Sequence, residues 1–419
     1  MEVADAPTIG QLVERLDAQE VAAAISAPPD SRAAREYLHW DELRRLEPPR
    51  GLSSEQWWLK IKLGRESELR PFPLAGPGGE RSRYGRSDDI LRSLHRIDRR
   101  EGAIDDGILS EPGARQRFLA DSLIEETIRS SQLDGATTPR RLAKEMLRSG
   151  HQPQDRSERM ILDNYRALQF MREEMGGKLK PAAVAELQRI LTVGTVDDPF
   201  AAGRLQPPGG ERLRLLCDFA NEEADGTPFV HPVIRAILLH FWLAYDRPFP
   251  DGNGRIGRIL FYWAMQRHGY RLAAYLPISR IIGKAPGKYE RAFAETETDG
   301  GDTTYFIVHQ LQALEEALAD LYEYVERKTA EERAVEDQLQ GNDGLNGRQL
   351  ALLGDAIRHP GTQYSFASHA ASHRVSHETA RWDLHDLSER GLLVRQRVGR
   401  KHLFAPAPSL PDRLRESTA

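Results

Sequence analysis

The feature that most constrains the fold is a run that is apolar on nearly every side, ILLHFWLAYD at residues 237–246. A helix with this pattern has no face suited to water, so it must lie at the centre of a group of other helices. Between about residue 88 and residue 328, most segments repeat apolar residues at helical spacing, with little of the alternation typical of strands. The chain therefore predicts a mostly α fold built around one buried helix.

Shifts in composition and pattern predict four regions: an N-terminal accessory helical region (1–87), a helical core (88–330), a linker (331–344) and a winged helix-turn-helix domain (345–408). Within the first region, residues 1–35 predict an amphipathic helix with a polar link. A serine followed by an acid predicts a helix start at Ser53 or Ser54. The Pro- and Gly-rich stretch 71–86 predicts an irregular loop. The charged, turn-rich linker fits either an irregular connection or the fraying end of the preceding helix.

The composition excludes several classes of protein and site. The single cysteine, Cys217, cannot form an internal disulfide or a multi-cysteine zinc site, as is typical of a reducing compartment. The formal net charge of −5 gives no general basic field for nucleic acid, so such a partner needs a local patch. No apolar run approaches the roughly 18 residues of a membrane span, and the N-terminal residues lack a signal-peptide pattern. We therefore expect a cytoplasmic protein without a membrane partner.

The apolar run leads directly into a dense motif, YDRPFPDGNGRIGR at 245–258. Its GNGRIG portion formally matches the dinucleotide-binding pattern G-x-G-x-x-G, but that pattern requires a preceding strand, and here a helix precedes it. A helix–loop–helix anion site fits better, because Pro248 ends the first helix and the glycines let backbone N–H groups turn inward. A second helix is expected to begin near Arg255, with its positive end facing the loop.

Charged side chains complete this motif. Asp251 supplies an oxygen ligand suited to Mg²⁺ that bridges phosphates. Arg255 and Arg258 lie about one turn apart on the same side of the new helix, where both can donate charge-assisted hydrogen bonds. The alternative is a purely structural capped turn whose arginines are solvated on the surface. The proline break, the buried helix and the two arginines together favour a nucleoside triphosphate with Mg²⁺.

At this level of detail the motif resembles the signature of the Fic family, His-x-Phe-x-(Asp/Glu)-Gly-Asn-Gly-Arg-x-x-Arg. Seven positions match: Phe249, Asp251, Gly252, Asn253, Gly254, Arg255 and Arg258. The resemblance covers roughly residues 110–330 and implies a Fic-type helical core. It also implies the family's usual activity, which is transfer of AMP from ATP to a hydroxyl of a target protein.

The resemblance assigns a role to each matching residue. Asp251 would hold Mg²⁺, and Gly252, Asn253 and Gly254 would contact the α- and β-phosphates of ATP. Arg255 would contact phosphate, whereas Arg258 would orient the γ-phosphate. The region 274–311 resembles later helices of the family, and there Tyr289 would lie beside the adenine.

A second stretch, SSQLDG at 130–135, resembles the family's N-terminal inhibitory helix, (Ser/Thr)-x-x-x-Glu-(Gly/Asn). Ser130, Asp134 and Gly135 occupy its defined positions, on a helix predicted near 122–135. By this resemblance the Asp134 carboxylate would pair with Arg258 and block productive placement of the γ-phosphate. Aspartate is one methylene shorter than the family's glutamate. The alternative is that Ser130 and Asp134 simply cap or end a helix.

Arg247 stands where the family signature has histidine. In the family this histidine takes the proton of the target hydroxyl, which an imidazole can do because it is partly neutral at working pH. An arginine side chain stays protonated and offers no acceptor. We therefore expect transfer to be weak or absent, since loss of a general base costs on the order of 10²- to 10⁴-fold. His231 and His240 are interpreted as core residues and not as substitute bases.

The region 345–405 predicts a helix, two helices around a short turn at 373–375, and two strands around Gly399, the order of a winged helix. It carries nine arginine and lysine residues against five acids. Ser376 would cap a recognition-like helix. The DNA-binding candidates on this helix and on the hairpin are His377, Thr379, Arg381, Arg397, Arg400 and Lys401. Protein contact or homodimer formation is the alternative use of such a domain.

Two further patterns bear on metal binding and on target binding. His369, His373 and His377 have the spacing of a metal face, but the predicted turn breaks that face, which argues against zinc. Between residues 194–210 and 211–221 there is little room for the β-hairpin flap with which relatives hold a target. Two hypotheses result: an autoinhibited AMP transferase disarmed by Arg247, or a nucleotide-sensing, DNA-binding regulator without catalysis.

Overall fold

The structure is a computed structural model that describes residues 3–28, 36–75, 81–101, 112–173, 177–195, 202–206, 209–223, 226, 228–339, 344–398 and 401–416. The described chain is mostly α-helical and divides into two compact units, Met1–Tyr322 and Glu323–Ala419. None of the described helices is both long enough and apolar enough to cross a membrane.

The described residues of the first unit begin with the helices α1 (Ile9–Arg15), α2 (Ala18–Ser26), α3 (Trp40–Leu43) and α4 (Ser54–Glu66) and the strands β1 (Arg70–Ala75) and β2 (Arg81–Tyr84). Ten helices follow: α5 (Asp88–Glu101), α6 (Pro112–Leu133), α7 (Arg140–Ser149), α8 (Arg156–Glu173), α9 (Pro181–Thr192), α10 (Gly209–Asn221), α11 (Pro232–Asp246), α12 (Asn253–Arg267), α13 (Ile278–Ile282) and α14 (Pro286–Thr298). A 3₁₀ turn at Arg271–Tyr275 separates α12 from α13, and α15 (Thr304–Leu339) runs from the first unit into the second.

Local sequence explains the start of the accessory region. Ser53 caps α4 through a hydrogen bond from the Gln56 N–H, and the Gln56 side chain returns one to the Ser53 N–H, so the predicted helix start is confirmed. Two helices occupy the stretch predicted to hold a single one, because Asp17 caps a second start at α2. Trp57 and Trp58 of α4 are buried in the apolar cluster that these helices form.

The prediction of an irregular loop over 71–86 is wrong, because β1 and β2 pair there as an antiparallel hairpin. Phe72 and Leu74 alternate with Pro71 and Pro73, so the apolar side chains point to the buried face of β1. A two-stranded ribbon consists only of edge strands, where proline is tolerated because no hydrogen bond from its nitrogen is needed. The alternation of Phe72 and Leu74 with the two prolines is a strand signal, which the proline content of the stretch concealed.

The accessory region is held to the core by buried polar contacts near the loop between α14 and α15. Lys62 lies 2.7 Å from Asp299, and Arg65 donates to the Tyr305 hydroxyl at 3.0 Å. Tyr37 donates to Asp302 at 2.7 Å. These contacts explain why residues of both regions belong to one compact unit. The region boundary at residue 87 remains a prediction.

The predicted central helix is confirmed as α11, whose residues 233–243 are all buried. It packs most extensively against α12, and Gly257 makes that approach feasible. A Cβ atom on Gly257 would lie 2.7 Å from the His240 carbonyl oxygen, closer than such atoms come in proteins. The two helices can therefore lie this near to each other only because position 257 has no side chain.

The second unit continues from α15 into α16 (Gly347–Arg358), α17 (Phe366–His373), α18 (His377–Glu389), β3 (Leu393–Val398), β4 (Lys401–Pro406) and α19 (Leu410–Glu416). Helical structure extends through 331–339. Most of the predicted linker is therefore the end of the preceding helix and not an irregular connection. Ser376 caps α18 by accepting from the Thr379 N–H, as predicted. β3 and β4 pair in register from Leu393 with Pro406 to Val398 with Lys401. The turn residues Gly399 and Arg400 lie outside the described residues.

Candidate anion-binding site

The site is built at the loop that joins the buried helices α11 and α12. α11 ends at Asp246 and is followed by the cap residue Arg247, whose left-handed φ of 47° stops the helix. α12 starts after Gly252, whose φ of 82° is a conformation favoured by glycine. Pro248 and the fully buried Phe249 fill the turn between them. The loop therefore presents the first N–H groups of α12, which carry the positive end of the helix dipole.

Asn253 has a structural contact that its predicted phosphate role did not include. Its side-chain amide donates to the Phe249 carbonyl at 2.7 Å and accepts from the Phe249 N–H at 3.0 Å. Both ends of the buried amide are thus used to close the loop. Any contribution of Asn253 to anion binding falls to its backbone N–H in the first turn of α12.

Arg255 and Arg258 converge on one carboxylate, that of Asp134. Nη2 of Arg258 lies 2.7 Å from Oδ1 of Asp134, and Nε of Arg255 lies 3.2 Å from Oδ2. Both guanidinium groups are almost fully buried, whereas the Asp134 side chain is 23% exposed. Burial alone would lower the pKa of Arg258, but the Asp134 carboxylate, together with Tyr289 and Glu126, more than offsets this effect and raises it. The predicted side-by-side placement of the two arginines is therefore present.

Further acceptors fix each guanidinium. Arg258 donates from Nε to the Ser130 hydroxyl at 2.8 Å and from Nη2 to the Ser130 carbonyl at 2.9 Å. Arg255 donates from Nη1 to the Leu191 carbonyl of α9 at 3.2 Å. Because several groups hold each arginine, their donors remain oriented toward Asp134 without depending on that contact alone.

The end of α6 places Asp134 at this point. The Ala136 N–H donates to the Ser131 carbonyl at 2.9 Å, and Gly135 has a φ of 100°, the arrangement in which a left-handed glycine terminates a helix. Ser130 and Asp134 thus lie at the end of a helix, which was the alternative interpretation of the stretch 130–135. They also contact Arg258, so the two interpretations hold together.

Gly254 lies directly against the Asp134 carboxylate. A Cβ atom on Gly254 would lie 3.2 Å from Oδ1 of Asp134 and 3.3 Å from Nη1 of Arg258. The carboxylate therefore occupies the space in front of the first turn of α12, where an anion would meet both the N–H groups and the two arginines. Asp134 has the charge and the position of a bound anion.

A cavity of about 540 Å³ opens beside this carboxylate. Asp134 and Asp251 both line it, together with the chain that follows α6 and the start of α8. Oδ1 of Asp251 accepts from the Gly252 N–H at 2.7 Å, while Oδ2 lies 3.6 Å from Arg255. The Asp251 side chain is half exposed, so a ligand can reach it.

These residues fit Mg²⁺ only in a particular way. The described residues contain no group of three histidine, cysteine, aspartate or glutamate side chains able to hold a metal. Mg²⁺ is commonly bound by one or two carboxylates, with waters and substrate phosphates completing the shell. Asp251 suits that mode and Asp134 lines the same cavity, so Mg²⁺ would come with a polyphosphate and not alone.

Arg247 lies at the rim of the loop. Its side chain is exposed and makes no hydrogen bond or ion pair with any of the described residues.

Tyr289, the residue predicted to lie beside the adenine, is half-buried on α14. Its ring stacks on His240, and its hydroxyl lies 3.0 Å from Nε2 of His240. Burial lowers the pKa of His240 well below its usual range, so this ring is neutral and serves as a core residue, as predicted.

The structure adds residues that sequence reasoning missed. Gln188 of α9 donates to the Asp251 carbonyl at 3.2 Å and also accepts from the Gly203 N–H, so it supports the loop from outside. Glu126 lies two turns before Asp134 on α6, where it is buried and accepts from the Ser279 hydroxyl at 2.6 Å. Burial raises the pKa of Glu126. Neither Gln188 nor Glu126 belongs to a recognisable motif. The available signal in the sequence is the spacing of Glu126, Ser130 and Asp134, which places these three residues on one face of a helix.

The DNA-binding candidates lie on α18 and the β3–β4 hairpin. His377, Arg381 and Arg397 are exposed, and Thr379 is half-buried. Arg400 lies outside the described residues, as do residues 196–201 and 207–208 of the segment considered for the flap. In the predicted histidine series, His369 contacts Asp383 at 3.1 Å and His377 packs against Phe366. The series is therefore divided between two environments.

Comparison with known proteins places this geometry in context. The family model described as Fic/DOC family matches residues 178–265. The chain is 38% identical over 60 residues to protein adenylyltransferase fic-1 of Caenorhabditis elegans, a stretch of 14% of this chain and 11% of that protein. It is 36% identical over 74 residues to protein adenylyltransferase Fic of Drosophila sechellia, covering 17% and 15%. The chain thus spans less than a sixth of the length of these relatives.

A solved structure supports the fold over a longer range. The crystal structure of a Fic family protein from Desulfovibrio desulfuricans G20 aligns with a TM-score of 0.54 at 18% identity, covering 81% of this chain and 99% of that chain. At this identity the likeness concerns the fold alone. The mostly α fold with a Fic-like helical core is therefore confirmed.

Proposed function

Because the chain carries a Fic/DOC family domain at residues 178–265, we propose that the protein binds ATP with Mg²⁺ and is built to transfer AMP to a hydroxyl of a target protein. One observation carries this proposal. Two buried arginines and the first turn of α12 converge on a single carboxylate that stands where an anion would bind. Such a set of preorganised donors suits the charge of a polyphosphate.

The chain's own residues would divide the work of binding. The N–H groups of Gly254 and its neighbours would donate to the phosphates, and Arg255 and Arg258 would neutralise the charge. Asp251 would hold Mg²⁺, which supplies charge neutralisation between phosphate oxygens. Tyr289 is half-buried beside the site and would contact the adenine.

The transfer step needs one more group. The target hydroxyl oxygen forms a bond to the α-phosphorus, the bond from that phosphorus to the pyrophosphate breaks, and the hydroxyl proton must pass to a base. Arg247 stands at that position and has no acceptor. No described residue near Arg247 replaces it, because His240 is engaged with Tyr289 inside the core. We therefore propose that transfer is weak in this chain and that Arg247 instead attracts phosphate.

We further propose that Asp134 inhibits the site. Its carboxylate holds the donors of Arg255 and Arg258 that a γ-phosphate would need, so ATP must displace it to bind productively. The contact at 2.7 Å supports this role even though aspartate is shorter than glutamate. Removal of the carboxylate should favour productive ATP binding.

The test is to incubate the full chain with Mg²⁺ and ATP labelled on the α-phosphate. Three forms are compared: the given sequence, Arg247→His, and Arg247→His combined with Asp134→Gly. We expect label on protein only in the two Arg247→His forms, and more of it where Asp134 is absent. Addition of Asp251→Asn to the Arg247→His form is the matched control and should remove the label. If every form binds ATP and none becomes labelled, the transferase proposal fails.

A second function is favoured by the exposed Arg381 of α18 and the exposed Arg395 and Arg397 of the hairpin. We propose that this surface of the C-terminal unit binds DNA and that the Fic domain acts as a nucleotide sensor. The arrangement of a capped helix followed by a basic hairpin supports this use. The test is whether ATP changes DNA affinity in both the given chain and Arg247→His.

A further inference from the structure

One surface of the C-terminal unit brings basic residues of the hairpin close to basic residues of α18. They belong to α18 and to the two strands of the hairpin: Arg381, His385, Arg395, Arg397 and His402. Desolvation and Arg395 lower the pKa of both histidines, and Arg381 contributes to each shift, so the groups lie within electrostatic range of one another. We call these five residues the His–Arg cluster.

The centre of the cluster is a direct contact between Arg395 and His402. These residues lie on opposite strands, where the register pairs Arg395 with Phe404 and Arg397 with His402. Nε of Arg395 donates to Nδ1 of His402 at 3.1 Å, and Nη2 of Arg395 lies 2.9 Å from Nε2 of the ring. A guanidinium has donors only, so this contact requires an imidazole nitrogen that still carries a lone pair.

Protonation of His402 must break this contact. The imidazolium ring has two N–H donors and no acceptor, so it cannot receive the Arg395 hydrogen bond. Two positive charges would then face each other without a shared partner. The charged groups around His402 are Arg395 and Arg397 on the hairpin and Arg381 and His385 on α18, while Glu389 is an acid that faces His385. Protonation therefore favours a state in which Arg395 swings away toward an external anion.

We propose that the His–Arg cluster is a proton-gated contact for the phosphate backbone of duplex DNA, in which neutral His402 holds Arg395 on the hairpin and protonated His402 releases it. This inference rests on the proposed DNA binding of the C-terminal unit and adds its regulation. When His402 is protonated, two separate cations, His402 and Arg395, replace the hydrogen-bonded pair of Arg395 and a neutral ring. Each phosphate neutralised by a cation releases counterions, so affinity rises.

Duplex DNA is the partner that the geometry fits. The chain turns at Arg374, with φ of 51°, before Ser376 caps α18, so α18 is a helix separate from α17, and it packs against β3 of the hairpin. Arg381 and Trp382 are exposed on α18, and Trp382 retains 60% of its accessible surface. A helix with an exposed basic face and cations on an adjacent hairpin can place the helix in a major groove and the hairpin on the flanking phosphates.

The experiment measures binding of the full chain to a fluorescent duplex of mixed sequence by anisotropy, at constant ionic strength, from about pH 5 to about pH 8, the range of histidine titration. We expect affinity to rise about tenfold toward acid pH as the cluster gains charge. His402→Lys cannot accept from Arg395 and is always charged, so it should bind at pH 8 as the given chain binds in acid. His402→Gln keeps an acceptor without titrating and should bind weakly, with a smaller pH response.

His359→Gln is the matched control, since His359 is an exposed histidine of the same unit that pairs with Asp355 and lies outside the cluster. It should retain the full pH response. Absence of DNA binding at every pH would remove both the DNA-binding proposal and the gate. DNA binding that changes neither with pH nor with His402→Lys would leave DNA binding intact and overturn the gate alone. Preference for anionic vesicles over duplex DNA would overturn the choice of partner.

Discussion

Oδ1 of Asp134 lies 2.7 Å from Nη2 of Arg258, so an acid at the end of α6 neutralises an arginine in the second turn of α12. The same carboxylate also contacts Arg255, and both guanidinium groups are buried. A buried cation costs free energy unless it is paired, and the pair holds only while no stronger anion competes for it. The site therefore stabilises the fold with the same contact that we propose to inhibit ATP binding.

Asp134→Gly should separate these two effects. Without ATP the variant should be less stable by about 2 kcal/mol, less than the about 3–5 kcal/mol typical of a fully buried pair because Asp134 is 23% exposed. With ATP and Mg²⁺ the phosphates would replace the carboxylate, so the affinity should rise at least about tenfold. Thermal unfolding with and without ATP, together with titration calorimetry, measures both quantities.

Asp121→Asn is the control for this prediction. Asp121 lies on the same helix, but it is half exposed and pairs with Arg148 and Lys144 on the surface. Exposed pairs contribute little, so this variant should change neither stability nor ATP affinity by a measurable amount. Equal ATP affinity in Asp134→Gly and in the given chain would argue against the inhibitory role.

Asp251→Asn should make ATP binding insensitive to Mg²⁺. In the given chain we expect Mg²⁺ to tighten binding, because Asp251 and the phosphates share the ion. In the variant, ATP affinity should be the same with and without Mg²⁺. Asp155→Asn is a matched control, since Asp155 lines the same cavity but accepts from the Glu158 N–H at the start of α8. If Mg²⁺ tightens binding to Asp251→Asn as strongly as to the given chain, another group holds the ion.

The sequence predicted the mostly α fold from periodicity, but it predicted the candidate site only through a resemblance. The contact between Asp134 and Arg258 spans 124 residues, and no periodicity could have connected them. Only the resemblance of two short motifs to one family placed them together. Spacing alone failed at Asn253, because a motif does not say whether an amide faces the ligand or, as here, the Phe249 backbone. Such a choice depends on how the loop closes in three dimensions.

Elsewhere, composition concealed the local pattern. The stretch 71–86 was predicted to be a loop from its proline and glycine content, although Phe72 and Leu74 already showed strand alternation. The pairing of Arg395 with His402 depends on the register of β3 and β4, which the sequence leaves undefined when the turn residues permit more than one alignment. Contacts that depend on register or on distant elements therefore required the structure.

The close approach of α11 and α12 predicts a stability effect at Gly257. Gly257→Ala would place a Cβ atom 2.7 Å from the His240 carbonyl oxygen, so the helices must separate, at a cost of about 1–3 kcal/mol. Gly64→Ala is the matched control, because Gly64 also lies within a helix but a Cβ there would meet nothing within 4 Å. That control should be neutral or stabilising by about 0.5–1 kcal/mol. Urea unfolding of both variants decides the matter, and equal stability would contradict the tight packing.

His39 predicts a loss of stability in mild acid. It caps α3 by accepting from the Asp41 N–H at 3.1 Å, and it is 1% exposed. Burial, followed by the nearby Arg291, lowers the pKa of His39 to about 4. The folded state therefore favours the neutral ring, and its contribution is present above the unfolded value of about 6.5 and lost as the pH falls toward about 4. The full contribution is at most about 3 kcal/mol.

His39→Asn tests this linkage because asparagine can still cap α3 but does not titrate in this range. Comparing urea unfolding at about pH 7 and about pH 4.5 should show a smaller loss of stability in the variant than in the given chain. His309, whose pKa burial also lowers to about 4, should leave part of the loss in place. His95→Gln, an exposed histidine of the same unit, should not change the pH dependence. An identical loss in His39→Asn would mean that the acid sensitivity arises elsewhere, because a neutral cap at position 39 can no longer be protonated.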